Sequence, residues 1–242
     1  MMAAVILSPR LLAIAALVPE GFAMADIGTD HGLLPAYLVT TGRVPSAIGI
    51  DDKELPLAGA RASLEALGIH TVELRHASGC VGLAAGEVRT ITIAGMGGPS
   101  IARILEGLPA GVTRLVLQPN AGATALRAWL GGHGWTIDAE QVVRDRGRFF
   151  MIVSAVPGSG PVLDDVDRRY GVVASHRDRP LLTAMLEADE ARLLALLSKP
   201  ARHEDVTRGS AALQRQIADA REAHRRGDAD KAMEALADPA SK

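Results

Sequence analysis

Alternating blocks of apolar residues set the plan of this chain. Short, almost wholly apolar runs recur between segments whose apolar residues return every three or four positions, the pattern of buried parallel strands separated by amphipathic helices. The runs predict strands at 22–27, 47–50, 72–75, 90–94 and 115–117. The periodic segments predict helices at 33–41, 54–67, about 100–106 and 123–130. Two further extended runs, Trp135 to Val143 and Phe149 to Val156, are joined only by Arg144-Asp145-Arg146-Gly147-Arg148. So short a link cannot house a crossover helix, and the two strands must be antiparallel.

The texture changes after Gly158-Ser159-Gly160-Pro161, which predicts a boundary between an α/β domain at 1–160 and a helical segment at 161–242. In that segment Leu181-Leu182, Met185-Leu186, Leu193-Leu194 and Leu196-Leu197 fall at helical spacing, and a second helix runs from about Asp205 to Arg226. The two can pair as an antiparallel hairpin serving recognition of a partner's shape, self-association or structural support. Near the start, Arg10 precedes the apolar run Leu11 to Val18, with small residues at Ala23 and Ala25. This has the look of a secretory signal, yet cleavage there would sever the strand that presents Asp26. A core-facing helix ending before Pro19 and Gly21 accounts for the run without export.

With 242 residues, 48% hydrophobic and 22% charged, the chain is long enough for one full α/β domain and an appendage. Lys and Arg number 26 against 28 Asp and Glu, so charge alone does not draw it to nucleic acid. The segment past 160 is equally balanced, 14 basic against 15 acidic residues, and is no basic clamp. A single cysteine, Cys80, excludes an internal disulfide and fits a reducing cytoplasm, where it reads as a small structural thiol. No run is long enough to span a bilayer, and no grouping of His, Cys or carboxylates has metal-ligand spacing.

Candidate chemistry gathers where strands end. Ala25-Asp26-Ile27-Gly28-Thr29-Asp30-His31-Gly32 stands between the first strand and the first helix after it. A dinucleotide fingerprint would place a second glycine at position 30, where this chain has aspartate, so close backbone contact with a pyrophosphate is not expected. An acid followed by glycine suits S-adenosylmethionine, whose ammonium and sulfonium are cationic and which has no phosphate. The same octapeptide also serves as a plain strand-to-helix turn. Asp51 ends the second strand, where an acid can accept from both ribose hydroxyls or simply hold a turn. Ser78-Gly79 follow the third strand, where an adenine edge is expected. Ala94 and Gly95-Met96-Gly97-Gly98 close the fourth with a helix start that a ligand can approach closely. Asn120, after Gln118-Pro119, offers a paired donor and acceptor, or a helix cap.

Taken in order, Leu7-Ser8-x-Arg10-Leu11, Asp26 to His31, Leu34-Pro35, Ile93 to Gly98, Leu117 to Asn120 and Trp129-Leu130 resemble the TrmK family, over most of residues 7 to 156. These are bacterial tRNA methyltransferases acting on N1 of the adenine at tRNA position 22. The resemblance implies a class I methyltransferase fold, a Rossmann-like sheet with an antiparallel last strand, and a coiled-coil-like helical domain behind it. It also implies S-adenosylmethionine as cofactor, tRNA as partner and a cytoplasmic place of action. Three positions depart from the family pattern. Ala77-Ser78-Gly79 replaces Gly-Asp-Gly, Gly32-Leu33 replaces Ala-Tyr, and Phe150-Met151 replaces Tyr-Glu.

On this reading Asp26, Gly28, Asp30, Asp51, Ser78, Gly79, Ala94, Gly95, Met96 and Gly97 hold the cofactor. Asp30 faces the charge arriving on adenine, and His31 orients Asp30, donates to the base, or caps the next helix. Arg10, Asn120, Arg146 and Arg148 meet the substrate; Arg144, Arg221, Arg225 and Arg226 are further candidates for phosphate, and Phe149, Met96 and Tyr37 for apolar contact with the base. The alternatives are an enzyme of the same fold acting on another RNA or a small molecule, and a binding or interaction module without turnover.

Overall fold

A computed structural model describes residues 5–171, 179–197, 214–222 and 226. Among these residues seven strands and seven α-helices up to residue 197 follow the predicted alternation. They are α1 (Pro9–Leu17), β1 (Met24–Ile27), α2 (Leu33–Thr40), β2 (Ala47–Asp51), α3 (Glu54–Leu67), β3 (Val72–His76), β4 (Thr90–Gly97), α4 (Gly98–Leu105), β5 (Arg114–Ala121), α5 (Ala123–Gly132), β6 (Trp135–Asp145), β7 (Arg148–Pro157), α6 (Asp165–Tyr170) and α7 (Arg179–Leu197). Residues 214–222 are also helical, while 205–213 and 223–225 of the predicted second helix, Arg225 included, lie outside the described residues.

The strands form one sheet in the order β3-β2-β1-β4-β5-β7-β6. The first five are parallel; β7 runs antiparallel to β5 and to β6. This is the class I methyltransferase arrangement, as expected. Every residue of β1 is buried, which explains why its sequence shows no alternation: helices cover both faces. Ala25 and Ile27 feed one core with Ile91, Leu115 and Leu126, while Met24 feeds the other with Leu38, Leu64 and Ile152.

The apolar run near the start forms α1, capped by the Ser8 hydroxyl, which accepts from the Leu11 amide, and begun by Pro9. Ile14, Ala15 and Leu17 are buried in the second core, and Gln141 of β6 donates to the Ala13 carbonyl at 3.0 Å. Among the described residues no helix is long and apolar enough to cross a membrane.

The link between β6 and β7 is tighter than the sequence suggested. It is two residues, Arg146 at φ 47° and Gly147 at φ 77°, the left-handed pair that a two-residue hairpin turn requires. Only Leu115 to Leu117 of β5 pair with β7, so the distal part of the hairpin extends past the sheet toward its carboxyl edge. Behind the hairpin, Val142 and Met151 share an apolar cluster with Tyr170, Leu182, Leu186, Leu193, Ile217 and Ala220. Arg127 of α5 and Glu140 of β6 form an ion pair at 2.7 Å with both side chains fully buried. Arg127 also donates to the carbonyls of Arg168 and Arg169, tying the last turn of α6 to the α/β domain.

Candidate active site

A cleft of about 980 Å³ opens at the carboxyl ends of β1 to β5, between the start of α1 and the tip of the β6–β7 hairpin. That is where a doubly wound sheet holds its ligand. All the sequence-nominated cofactor residues line it except Gly97, which is the N-cap of α4. The neighbouring Gly98 answers to packing: a Cβ there would fall 2.0 Å from the Gly122 carbonyl oxygen.

Asp26, next to last in β1, is 5% exposed and accepts from the Thr92 hydroxyl at 2.6 Å. Burial pushes its carboxyl up to about 6; the hydroxyls of Thr92 and Thr29 oppose the shift, Asp51 adds to it and Arg10 slightly relieves it. The buried Thr29 hydroxyl is close enough to favour the charge but makes no hydrogen bond of its own among the described residues. Asp51, at the end of β2, accepts from the Lys53 amide at 3.0 Å and faces the cleft as well. It therefore both holds the turn and lines the cavity.

Gly28 turns the chain out of β1 at φ 74°, and a Cβ there would fall 2.3 Å from the Met96 methyl group. A side chain at 28 would thus be strained by conformation and would displace Met96. Asp30 holds a left-handed backbone at φ 51°, which aspartate tolerates better than most residues. Its carboxylate is 3.8 Å from Nε2 of His31, both side chains being exposed. The His31 ring rests against α3 at Gly59, and α2 is capped by Gly32 at φ 67°, so His31 is not that helix's cap.

Sequence reasoning assigned no role to Gln118, which organises the opposite wall. Its fully buried side chain accepts from Nη1 of Arg10 and from the Gly95 amide, and donates to Oδ1 of Asn120 at 3.2 Å. Asn120 in turn donates to the Gly95 carbonyl at 2.6 Å. Both ends of the Asn120 amide are thus committed within the protein, bracing the glycine turn after β4.

The aromatic expectations shift by one register position. Phe149 packs toward the C-terminal cluster with Arg144 over its ring, while Phe150, on the other face of β7, lines the cleft. Arg10 and Arg148 place their guanidinium carbons 5.4 and 5.3 Å from the Phe150 ring centroid. Tyr37 belongs to the core between α1 and α2, away from the cleft. Arg146 lines the cleft, whereas Arg221 pairs with Glu187 and Glu190 and Arg226 with Glu222. Cys80 is buried, and burial raises its thiol to about 11, as fits a structural role. No group of three metal-ligating side chains occurs among the described residues.

Comparison with known proteins gives the same assignment. The methyltransferase domain family model matches residues 7–153. The tRNA (adenine(22)-N(1))-methyltransferase of Bacillus subtilis is 36% identical over 156 residues, 63% of this chain and 66% of the relative, so the aligned part spans just under two thirds of that relative's length. The crystal structure of a Streptococcus pneumoniae putative tRNA (m1A22) methyltransferase in complex with S-adenosyl-L-methionine is 33% identical and superposes with a TM-score of 0.79, covering 90% of this chain and 100% of that one. The B. subtilis TrmK crystal structure is 27% identical with a TM-score of 0.77, covering 91% and 99%. The chain belongs to the TrmK family of tRNA (adenine(22)-N(1))-methyltransferases.

Proposed function

We propose that this chain moves the methyl group of S-adenosylmethionine to N1 of an adenine in tRNA, at position 22 as the names of its relatives specify. The observation that carries the reading is the donor set of the cleft. Asp26 and Asp51 stand at adjacent strand ends beside a turn that has aspartate where a phosphate cradle needs glycine. Such a site suits a cation with a ribose and repels a phosphate. Asp26 and Asp30 face the cationic methionyl end, Asp51 takes the ribose hydroxyls, and Ser78 and Gly79 meet the adenine edge.

The bound cofactor supplies a methyl carbon on a sulfonium: the N1 lone pair of the acceptor takes the carbon, and the carbon–sulfur pair stays on sulfur. Neutral adenine has that lone pair free, so no base need remove a proton from N1. The residues of the chain therefore act by alignment and electrostatics. Asp30 faces the charge passed to adenine, with His31 beside it. Arg146 and Arg148 on the hairpin meet the RNA backbone, while Arg10 is held by Gln118 and Phe150 at the rim.

In the same reading residues 1–160 carry the chemistry in the cytoplasm, and the helical segment braces the hairpin from behind through the cluster shared with Val142 and Met151. Sedimentation of the full chain separates bracing from self-association. The decisive experiment is incubation of purified protein with labelled S-adenosylmethionine and unmodified tRNA, followed by nucleoside analysis and a transcript lacking the position-22 adenine. N1-methyladenosine that disappears with that base supports the proposal. Cofactor binding with no methylated RNA would favour a binding module instead.

A further inference from the structure

The tip of the hairpin holds an acid that the reading above leaves unused. Asp145 ends β6, lines the cleft and is only 9% exposed. Directly across the ladder stands Arg148, and opposite charges facing each other on neighbouring strands ordinarily pair. Here they do not: Arg148 lies over the Phe150 ring instead. Arg10, the other guanidinium at that ring, donates to Gln118. No hydrogen bond or ion pair holds the Asp145 carboxylate among the described residues, although Arg144, Arg146 and Arg148 all lie within three positions of it. Most of the residue is packed away while its carboxylate oxygens still reach the cleft, so they stand open to a donor that a ligand brings.

The strand alternation places three groups on one face. Asp145, Arg148 and Phe150 all line the cleft, while Arg144 and Phe149 lie on the other face of the hairpin. An aromatic ring flanked by guanidinium groups is a surface on which a splayed base can stack, and a carboxylate beside it selects the edge of that base. The exocyclic amino group of adenine is a donor. When N1 gains its methyl group, the new positive charge spreads through C6 onto that amino nitrogen.

We propose that Asp145 accepts a hydrogen bond from the exocyclic amino group of the target adenine, with Phe150 and its guanidinium neighbours holding the plane of the base. The inference rests on the reading of the chain as an adenine N1-methyltransferase. The hydrogen bond strengthens as charge arrives, so it stabilises the transition state more than the bound base. It also makes Asp145 a specificity residue. A base with a carbonyl oxygen at that position turns an acceptor toward the carboxylate and is rejected.

The test pairs a change in the protein with a change in the base. Single-turnover methylation is measured for the full chain, Asp145→Asn and Asp145→Glu on transcripts carrying adenine, or purine without its amino group, at the position the parent methylates. Asp145→Asn is expected to slow the reaction on adenine roughly 10- to 100-fold and to leave the purine transcript within about 3-fold. Asp145→Glu recovers part of the rate on adenine alone, which a purely structural role would not produce. Equal losses on both bases overturn the subsite. Should the asparagine variant not fold, as judged by calorimetric cofactor binding, Asp145→Glu carries the test: a loss relative to the parent that is larger on adenine than on purine supports the contact, and equal losses on the two bases overturn it. A parent protein that forms no N1-methyladenosine in tRNA overturns the underlying reading instead, a result distinct from methylation insensitive to the amino group.

Discussion

Acidification should release the cofactor through Asp26. Burial lifts this carboxyl from its ordinary 3.8 to about 6, so holding it ionised costs the ligand-free protein about 3 kcal/mol at neutral pH. The folded value lies above the unfolded one. The folded state is therefore relatively favoured below pH 3.8, loses that advantage as pH rises to about 6, and carries the full cost above it. A cationic methionyl group offsets the cost only when Asp26 is charged. Affinity for S-adenosylmethionine should then be flat above about pH 7 and fall below pH 6, reaching roughly a tenfold loss at pH 5. Asp26→Asn keeps an acceptor for the Thr92 hydroxyl and removes the charge. It should bind the cofactor more weakly at pH 7.5, show no inflection near pH 6, and stabilise the ligand-free fold by up to about 3 kcal/mol. Calorimetry between pH 5 and 8 and urea unfolding at pH 7.5 provide the two measurements. A parent affinity constant across that range, or the same inflection in the asparagine variant, would refute the assignment of the charge to Asp26.

Four further outcomes follow from named contacts. Asp51→Ala, by removing a charged acceptor from the cleft, should weaken cofactor binding roughly 10- to 100-fold in calorimetry, with an unchanged melting transition as control. Asp30→Asn should slow single-turnover methylation more than it weakens cofactor binding, and a rate equal to the parent's would remove its electrostatic role. Arg127→Met leaves the buried Glu140 carboxylate without its arginine and frees two carbonyls of α6, so chemical unfolding should report a loss of about 3–5 kcal/mol; a loss under about 1 kcal/mol would contradict the packing. Arg146→Gln and Arg148→Gln should each lower the slope of log tRNA affinity against log salt by up to about one unit, while Arg221→Gln, already paired within the protein, should leave it unchanged.

Local pattern made most of the fold legible. Helix α3 lies at its predicted bounds, Glu54–Leu67, because it is amphipathic and ends on Gly68 at φ 67°, a stop written in one residue. The acids and glycines of the cleft were legible for a related reason: a parallel sheet delivers the end of each strand to one edge, so Asp26 and Asp51 had to be neighbours there. The helical segment was harder. Its separation at Gly158 to Pro161 reads as a linker, yet its leucines pack on Val142 and Met151, and its first helix ends on the arginine of a buried ion pair. A fragment ending near Gly160 would uncover that pair and that apolar face, so point variants test the division of labour more cleanly than truncation.

What the sequence determined by itself is whatever depends on spacing along the chain: the order of strands and helices, the antiparallel hairpin, and which strand ends bear acids. What tertiary structure decided is which of two equivalent faces meets the cleft and which distant groups meet each other. Phe149 and Phe150 have the same chemistry one position apart, and a period of two cannot say which row points inward when both rows are covered. Gln118 joins Arg10 across 108 positions and Gly95 across 23, and no periodicity carries such a pairing. Asp145 reads in sequence as one more charge in an arginine-rich turn. Its lack of a partner arises only because Arg148 lies over Phe150, a competition settled by side-chain geometry in three dimensions.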